Sequence, residues 1–208
     1  MRGELVAIDL ETTGLDVHKD FIIEVGAVRM QDGEITARYE TMVNPGIPIP
    51  TTTTNITGIQ QNDVNDAPAI DKVLPEITSF VGTAPVIAHN ATLDMGLLQQ
   101  RHGILIANTS IDTYDLASIV LPGAPRYNLT SLTQQMGIEL ENAHRALDDA
   151  HATALLYWAL WQRICLLPHA TLDEISRAAE GLKWDSAAVF IAALRESKTS
   201  SREKAAQT

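Results

Sequence analysis

The chain has 208 residues, of which 45% are apolar and 20% charged, and its 26 acidic against 15 basic side chains give a formal net charge of −11. The length and apolar content fit one well-buried domain. Because broad phosphate binding uses Lys and Arg surfaces, the excess of acid argues against a protein that wraps a long nucleic-acid duplex.

The sequence shows no pattern typical of secretion or membrane insertion. Only four apolar residues precede Asp9 after the polar start, and the longest apolar runs, residues 154–161 and 187–194, hold eight residues each. A membrane-spanning helix needs roughly 18. The single cysteine, Cys165, excludes an internal disulfide and fits a reducing compartment. We therefore expect a cytoplasmic protein without membrane contact.

The first predicted strand ends at two carboxylates. Residues 5–8 form an apolar run typical of a strand buried on both faces, and Asp9 and Glu11 follow it. Residues two apart on a strand point to the same side, with their Cα atoms roughly 6–7 Å apart. Unpaired charges there are costly, and a cation with oxygen ligands, Mg²⁺ or Mn²⁺, is the usual compensation. The alternative is a solvated strand-to-loop turn.

A predicted hairpin, a loop and a helix come next. A strand over residues 21–30, a tight turn at 31–34 and a strand over residues 35–43 predict an antiparallel pair. The prolines and threonines of residues 45–54 predict a loop, whereas residues 69–81 have helical spacing.

Another carboxylate follows a short strand. Residues 85–88 predict a strand that ends in His89 and Asn90, and a helix over residues 92–101 places Asp94 in its first turn. The sequence then predicts a last strand segment over residues 104–106 and 110–112, a helix over 113–120, and a helix over 129–136 with Asn128 as its N-cap.

The strongest helical pattern covers residues 146–165. Its apolar residues extend nearly all round, which predicts a buried helix, so Asp148 and Asp149 near its start need partners. A helical wheel does not distinguish which of the two faces a site. Residues 168–194 predict a small helical annex that either packs onto the domain or docks a partner, and the polar residues 198–208 predict a disordered tail.

Three acid-bearing motifs occur along the chain, Asp9-x-Glu11-Thr12-Thr13-Gly14, His89-Asn90-Ala91-x-x-Asp94 and His144-Arg145-Ala146-x-x-Asp149-Ala150. Their order and spacing resemble those of the DEDDh family of 3′-to-5′ exonucleases, of the DNA polymerase III proofreading-subunit type, over roughly residues 5–161. The resemblance implies an α/β, ribonuclease-H-like fold with a mixed five-stranded sheet flanked by helices. We expect an exonuclease domain over residues 1–165 and the helical annex over residues 166–197.

The resemblance also assigns catalytic roles. It implies two Mg²⁺ or Mn²⁺ ions held by Asp9, Glu11, Asp94 and Asp149, and its spacing selects Asp149 over Asp148. It implies His144 as the general base, which agrees with the ability of histidine to accept a proton near neutral pH.

The substrate-binding residues implied by the resemblance lie in three short segments, namely Thr12, Thr13 and Gly14, then Asn55 and Ile59, then His89 and Asn90. For His89 the alternative is a core histidine bonded to backbone. The sequence departs from the common family pattern at two positions. Leu93 stands where many members carry Phe, and Asn55 stands where many carry His, so the contact of that loop with a nucleotide stays open.

The expected activity is metal-dependent 3′-to-5′ removal of nucleoside monophosphates from DNA, with RNA as an open alternative. The expected ligand is a nucleic-acid 3′ end, single-stranded DNA first. A polymerase or a helicase is a candidate partner, because the segment after Cys165 resembles the corresponding region of bacterial nuclease-helicase fusions. The rival hypothesis is an inactive nuclease fold that only binds ends, against which all five motif residues are present. The oligomeric state is not readable from the sequence.

Overall fold

A five-stranded mixed sheet organises the chain, in the spatial order β3-β2-β1-β4-β5. The computed structural model describes residues 1–140 and 142–206. The strands are β1 (Glu4–Thr12), β2 (Ile22–Gln31), β3 (Glu34–Met42), β4 (Val86–Ala88) and β5 (Ser110–Asp112). The first three form antiparallel pairs, whereas β4 and β5 run parallel to β1. The predicted mixed sheet is therefore confirmed.

Helices cover both faces of the sheet. They are α1 (Thr51–Thr57), α2 (Gln61–Asn65), α3 (Ile70–Val81), α4 (Thr92–Met95), α5 (Thr113–Val120), α6 (Leu129–Met136), α7 (Ala146–Cys165), α8 (His169–Ala178) and α9 (Ala187–Ala206), with a π-helical segment, Gly96–Arg101, continuing α4. One face packs against α5 to α9 and the other against α3 and the α4 region. Within the described ranges, none of these helices combines the length and the apolar character that crossing a bilayer demands.

Strand β1 lies at the centre of both cores. Leu5 and Ala7 join the cluster on the α7 face, whereas Val6 and Ile8 join the cluster on the α3 face. The strand continues past the predicted end because its ladder with β2 extends to Thr12. The odd-numbered carboxylates Asp9 and Glu11 therefore lie within the strand, on the face that α7 covers.

Two local predictions are wrong. Residues 51–54, predicted as loop, begin α1, which starts after Pro50 and ends at Gly58 in the left-handed conformation. Threonine-rich sequence has low helix propensity, and a tertiary hydrogen bond from Thr53 Oγ1 to Thr13 O, 2.8 Å, holds this helix instead. Residues 104–106 form a turn, because Leu105 has a φ of 57°, which a strand does not allow.

The C-terminal helices α8 and α9 pack onto the domain. Leu172, Val189 and Phe190 belong to the same buried cluster as the inner residues of α7. Ser186 Oγ accepts a hydrogen bond from the Asp112 backbone N–H, 3.0 Å, at the end of β5. The backbone of α9 is helical to Ala206, while residues 207 and 208 of the predicted tail lie outside the described residues, and disorder of the tail stays a prediction.

The start of α7 touches β2 at a glycine. A Cβ atom on Gly26 would lie 2.1 Å from the Ala146 carbonyl carbon and 2.2 Å from the Leu147 nitrogen. Gly26 stands opposite Asp9 in the β1–β2 register. Because only glycine permits this approach, the first turn of α7 comes down beside the β1 carboxylates.

We predict that Gly26→Ala destabilises the fold, since the new methyl group meets backbone that cannot move aside. The free energy of unfolding should fall by about 3 kcal/mol, the upper range for overpacking. Denaturant unfolding followed by circular dichroism measures the change.

Gly123→Ala is the matched control, because a Cβ atom there meets nothing within 4 Å. It should leave the midpoint nearly unchanged. Equal midpoints for wild type and Gly26→Ala would contradict the close contact.

Candidate active site

Three secondary-structure elements bring the predicted carboxylates together. Asp9 and Glu11 lie on β1, and Asp94 lies in α4 just beyond β4. The Leu10 backbone N–H donates to Asp94 Oδ1 at 3.0 Å, which fixes this 8% exposed side chain against β1. The parallel β1–β4 pairing therefore places the second motif beside the first.

The first turn of α7 completes the cluster. Asp149 is 8% exposed, and its Oδ2 accepts the backbone N–H of His144 at 3.0 Å. Ligand atoms of Glu11, His144 and Asp149 all lie within 4.8 Å of one another. His144 is exposed and has a φ of 68°, a left-handed backbone conformation that is uncommon for a non-glycine residue.

The cluster raises the pKa values of its carboxyl groups. Burial raises the pKa of Asp9 well above its usual range, and the charges of Asp94, Asp149 and Glu11 raise it further. Burial, followed by Asp149 and other carboxylates, raises the pKa of Glu11 to about 8. Burial also raises the pKa of Asp94 to about 7 and that of Asp149 above its ordinary value. Groups of the protein itself therefore offset the negative charge of the cluster only in part.

One atom of the cluster marks a place for a cation. Asp149 Oδ1 is buried and has no hydrogen-bond partner among the described residues. A buried carboxylate oxygen is costly unless a donor or a cation satisfies it. Oxygen donors suit Mg²⁺ or Mn²⁺, so the residues present fit a divalent metal site.

Tertiary contacts separate Asp148 from Asp149, which the helical wheel cannot do. Asp148 Oδ2 accepts from Asn142 Nδ2 at 2.9 Å. It lines a different cavity of about 260 Å³, together with Arg38 and His151. Asp149 alone of the pair therefore faces the carboxylates of β1.

The sequence analysis missed the ion pair that anchors α7. Glu24 on β2 is fully buried and lies opposite Glu11 in the register. Its carboxylate accepts from Arg145 Nη2 at 2.7 Å and from the Ala146 backbone N–H at 3.0 Å. The available sequence signal was an acidic residue, Glu24, inside the apolar run 21–28, together with an arginine, Arg145, inside the third motif.

The sequence analysis also missed the residues that shape the loop after β1. Thr13 Oγ1 donates to Asp20 Oδ1 at 3.0 Å, and a Cβ atom on Gly14 would meet Asp20 Oδ2 at 2.5 Å. Arg101 donates to the carbonyls of Val17 and Asp20. Hydrogen bonds to Asp20, and from Arg101 in the π-helical segment, therefore hold the loop in place.

The predicted substrate residues of the first two segments have different surroundings. Thr12 and Thr13 are buried, and Thr12 Oγ1 donates to Gly14 O at 2.5 Å. Asn55 is exposed on α1, whereas Ile59 is buried. In the loop after β1, the large apolar side chain of Leu15 is 86% exposed, and it was not predicted as a site residue.

His89 and Asn90 form the turn after β4. His89 Nε2 donates to Tyr127 O at 2.9 Å, and Nδ1 lies 2.8 Å from Thr113 Oγ1. Burial lowers the pKa of His89, so the ring is neutral at neutral pH. Both ring nitrogens are thus engaged by protein groups, as the core-histidine alternative requires. Asn90 is exposed and left-handed, with a φ of 59°.

Taken together, the fold and site define a class of protein. A mixed sheet in the order β3-β2-β1-β4-β5, with carboxylates converging from β1, α4 and α7, is the arrangement of a ribonuclease-H-like nuclease. Residues 6–157 match the exonuclease family. The chain belongs to this family, and the family match does not favour the inactive end-binding alternative.

Two curated relatives come from DNA replication. The chain is 44% identical over 154 residues to the DNA polymerase III PolC-type of Clostridium perfringens (strain 13 / Type A), covering 73% of this chain and 11% of that protein. It is 38% identical over 159 residues to DNA polymerase III subunit epsilon of Aquifex aeolicus (strain VF5), covering 74% and 79% respectively. The chain thus spans only about a tenth of the PolC-type relative.

Solved structures agree on the fold. Exonuclease X in complex with 5′ overhanging duplex DNA has a TM-score of 0.66 at 29% identity, with 76% of this chain and 91% of that chain covered. E. coli exonuclease I in complex with a dA16 oligonucleotide has a TM-score of 0.66 at 20% identity, with 78% and 41% covered, and supports the fold alone.

The raised pKa values predict how stability depends on pH without divalent metal. The unfolded chain ionises Glu11 and Asp94 near their ordinary values, about pH 4, whereas the fold keeps them protonated towards about pH 8 and pH 7. Their contribution to stability is therefore full at low pH and is lost as the pH rises through this window. In EDTA, the melting temperature should therefore fall as the pH rises from about pH 4 to about pH 8.

The Glu11→Gln variant provides the comparison. It should melt with a flatter pH dependence, and added Mg²⁺ should raise the wild-type melting temperature more at the higher pH. Parallel pH profiles for wild type and Glu11→Gln would count against the charge repulsion. Thermal unfolding followed by circular dichroism measures both.

Proposed function

We propose that the chain removes nucleoside monophosphates one at a time from the 3′ end of single-stranded DNA, using two Mg²⁺ or Mn²⁺ ions. The observation that carries this proposal is the convergence of Glu11, Asp149 and His144 within 4.8 Å, beside Asp9 and Asp94. The match to the exonuclease family supports it independently.

Each residue of the cluster has a distinct task in this proposal. Asp9, Glu11, Asp94 and Asp149 hold the ions with carboxylate oxygens. When bound, such ions activate water and offset the charge that develops on the phosphate and the leaving oxygen. His144 accepts the proton of the attacking water, because its exposed ring lies at the edge of the cluster. Asp149 supports this role by holding the His144 backbone N–H.

The loop after β1 is the proposed seat of the terminal nucleotide. It adjoins the carboxylates and is held in shape by Asp20. Exposed Leu15 offers an apolar surface to a base, and Thr12 to Gly14 connect it to Glu11 of the cluster. Asn55, on α1, is placed near this loop by the Thr53 bond to Thr13.

A polymerase is the proposed partner. The support is that two relatives carry the names of DNA polymerase III proteins. The PolC-type relative is far longer than the stretch it shares with this chain, so the chain is proposed to act beside polymerase activity.

The experiment that tests the proposed function uses one oligonucleotide sequence in four forms with Mg²⁺ or Mn²⁺. These are linear single-stranded DNA labelled at the 5′ end, the same strand labelled at the 3′ end, a circular single strand, and linear RNA. The 3′ label should appear at once as mononucleotide, the 5′ label should shorten stepwise, and the circle should stay intact. Binding of linear DNA without products would favour the end-binding alternative, and cutting of the circle would contradict exonuclease action.

We predict that His144→Ala lowers the turnover of linear DNA by about 10²- to 10⁴-fold, the usual effect of losing positioned proton transfer. Mg²⁺ affinity, measured by calorimetry, should change little. Asp149→Asn should lower both turnover and Mg²⁺ affinity.

Asp148→Asn is the matched control, because Asp148 contacts Asn142 outside the cluster. It should keep near-normal turnover. A His144→Ala enzyme of normal rate, or equal losses in Asp148→Asn and Asp149→Asn, would show that the third motif is assigned incorrectly.

A further inference from the structure

An exposed aromatic ring stands beside the second motif. Tyr114, in the first turn of α5, is 43% exposed. The Asp112 carboxylate joins this turn to the loop after β4, because it accepts from the backbone N–H groups of Asn90, Ala91 and Tyr114 at 2.8–2.9 Å. Ala91 stands three residues before Asp94, so the Asp112 carboxylate ties the start of α5 to the segment that carries Asp94 of the cluster.

The ring of Tyr114 is held in place by other rings. It makes edge-type contacts with Tyr127, with centroids 5.8 Å apart, and with His89, with centroids 6.4 Å apart. Tyr127 is fixed in turn, since its hydroxyl donates to Leu121 O at 2.8 Å. A rigid, partly exposed aromatic loses little conformational freedom when a flat group stacks on it.

A positively charged side chain stands next to Tyr127 in the sequence. Arg126, next to Tyr127, is exposed and lines a shallow cavity of about 350 Å³ with Ser131 and Gln134. Exposed arginine is the side chain suited to phosphate, and polar side chains complete the lining. Arg126 thus places a positive charge beside Tyr127 in a chain whose net charge is −11.

We propose that Tyr114 and Arg126 form an upstream subsite for single-stranded nucleic acid. A base stacks on Tyr114, and a phosphate further from the 3′ end pairs with Arg126. Such a combination of aromatic platform and cation is how single strands are held without sequence preference. This proposal rests on the proposed function, because it assumes that the 3′ end occupies the carboxylate cluster.

The test compares a long single-stranded oligothymidylate with the p-nitrophenyl ester of thymidine 5′-monophosphate, which reaches only the carboxylate cluster. Tyr114→Ala should lower kcat/KM for the oligothymidylate by roughly 5- to 100-fold, the range for one lost stacking contact. It should leave kcat/KM for the ester unchanged. Tyr114→Phe should behave as wild type, since the ring carries the contact.

Tyr39→Ala is the control for position, because Tyr39 lies on β3, at the opposite edge of the sheet. It should not alter the ratio between the two substrates. Equal losses on ester and oligothymidylate in Tyr114→Ala, or no loss on either, would overturn the subsite.

A wild type that hydrolyses neither substrate with Mg²⁺ or Mn²⁺ would overturn the proposed function instead. In that case, binding of labelled oligothymidylate, measured by fluorescence anisotropy, tests the subsite without catalysis. Weaker binding by Tyr114→Ala than by Tyr114→Phe supports the subsite, and equal binding overturns it.

Discussion

The contact between the first turn of α7 and strand β2 is the constraint on which the active site depends. Gly26 leaves room for the Ala146 backbone, and buried Glu24 binds Arg145 and the Ala146 N–H at the same point. Because Glu24 is fully buried, loss of its partner Arg145 would leave a buried charge without compensation. The pair therefore fixes the register in which Asp149 meets the β1 carboxylates.

This contact allows the protein to gather charges that repel one another. Asp9, Glu11, Asp94 and Asp149 all have raised pKa values, and burial is the largest cause for each. The fold holds them together through its sheet and helix packing rather than through their own interactions. A divalent cation relieves this repulsion, so the arrangement is unfavourable without a cation and favourable with one.

Some residues around the carboxylate cluster hold its loops in place, and others are exposed to solvent. Asp20 and Arg101 hold the loop after β1 through hydrogen bonds, and Asp112 holds the loop after β4 in the same way. Two of the exposed groups nearby, Leu15 and Tyr114, are apolar or aromatic. Under the proposed function, a protein of net charge −11 would bind a nucleic-acid end through metal and base contacts, without a broad basic surface.

The sequence by itself determined most of the strands, the strongest helix and the three acidic motifs, because apolar periodicity and motif spacing are local properties. It could not determine α1, whose threonines form a helix through contacts with a distant loop. It also predicted that the first strand ends before Asp9, whereas pairing with β2 extends β1 to Thr12. Only the tertiary structure showed that Asp149, and not Asp148, faces the β1 carboxylates. It also revealed Glu24 and Tyr114, because their partners Arg145 and His89 lie more than 20 residues away in the chain.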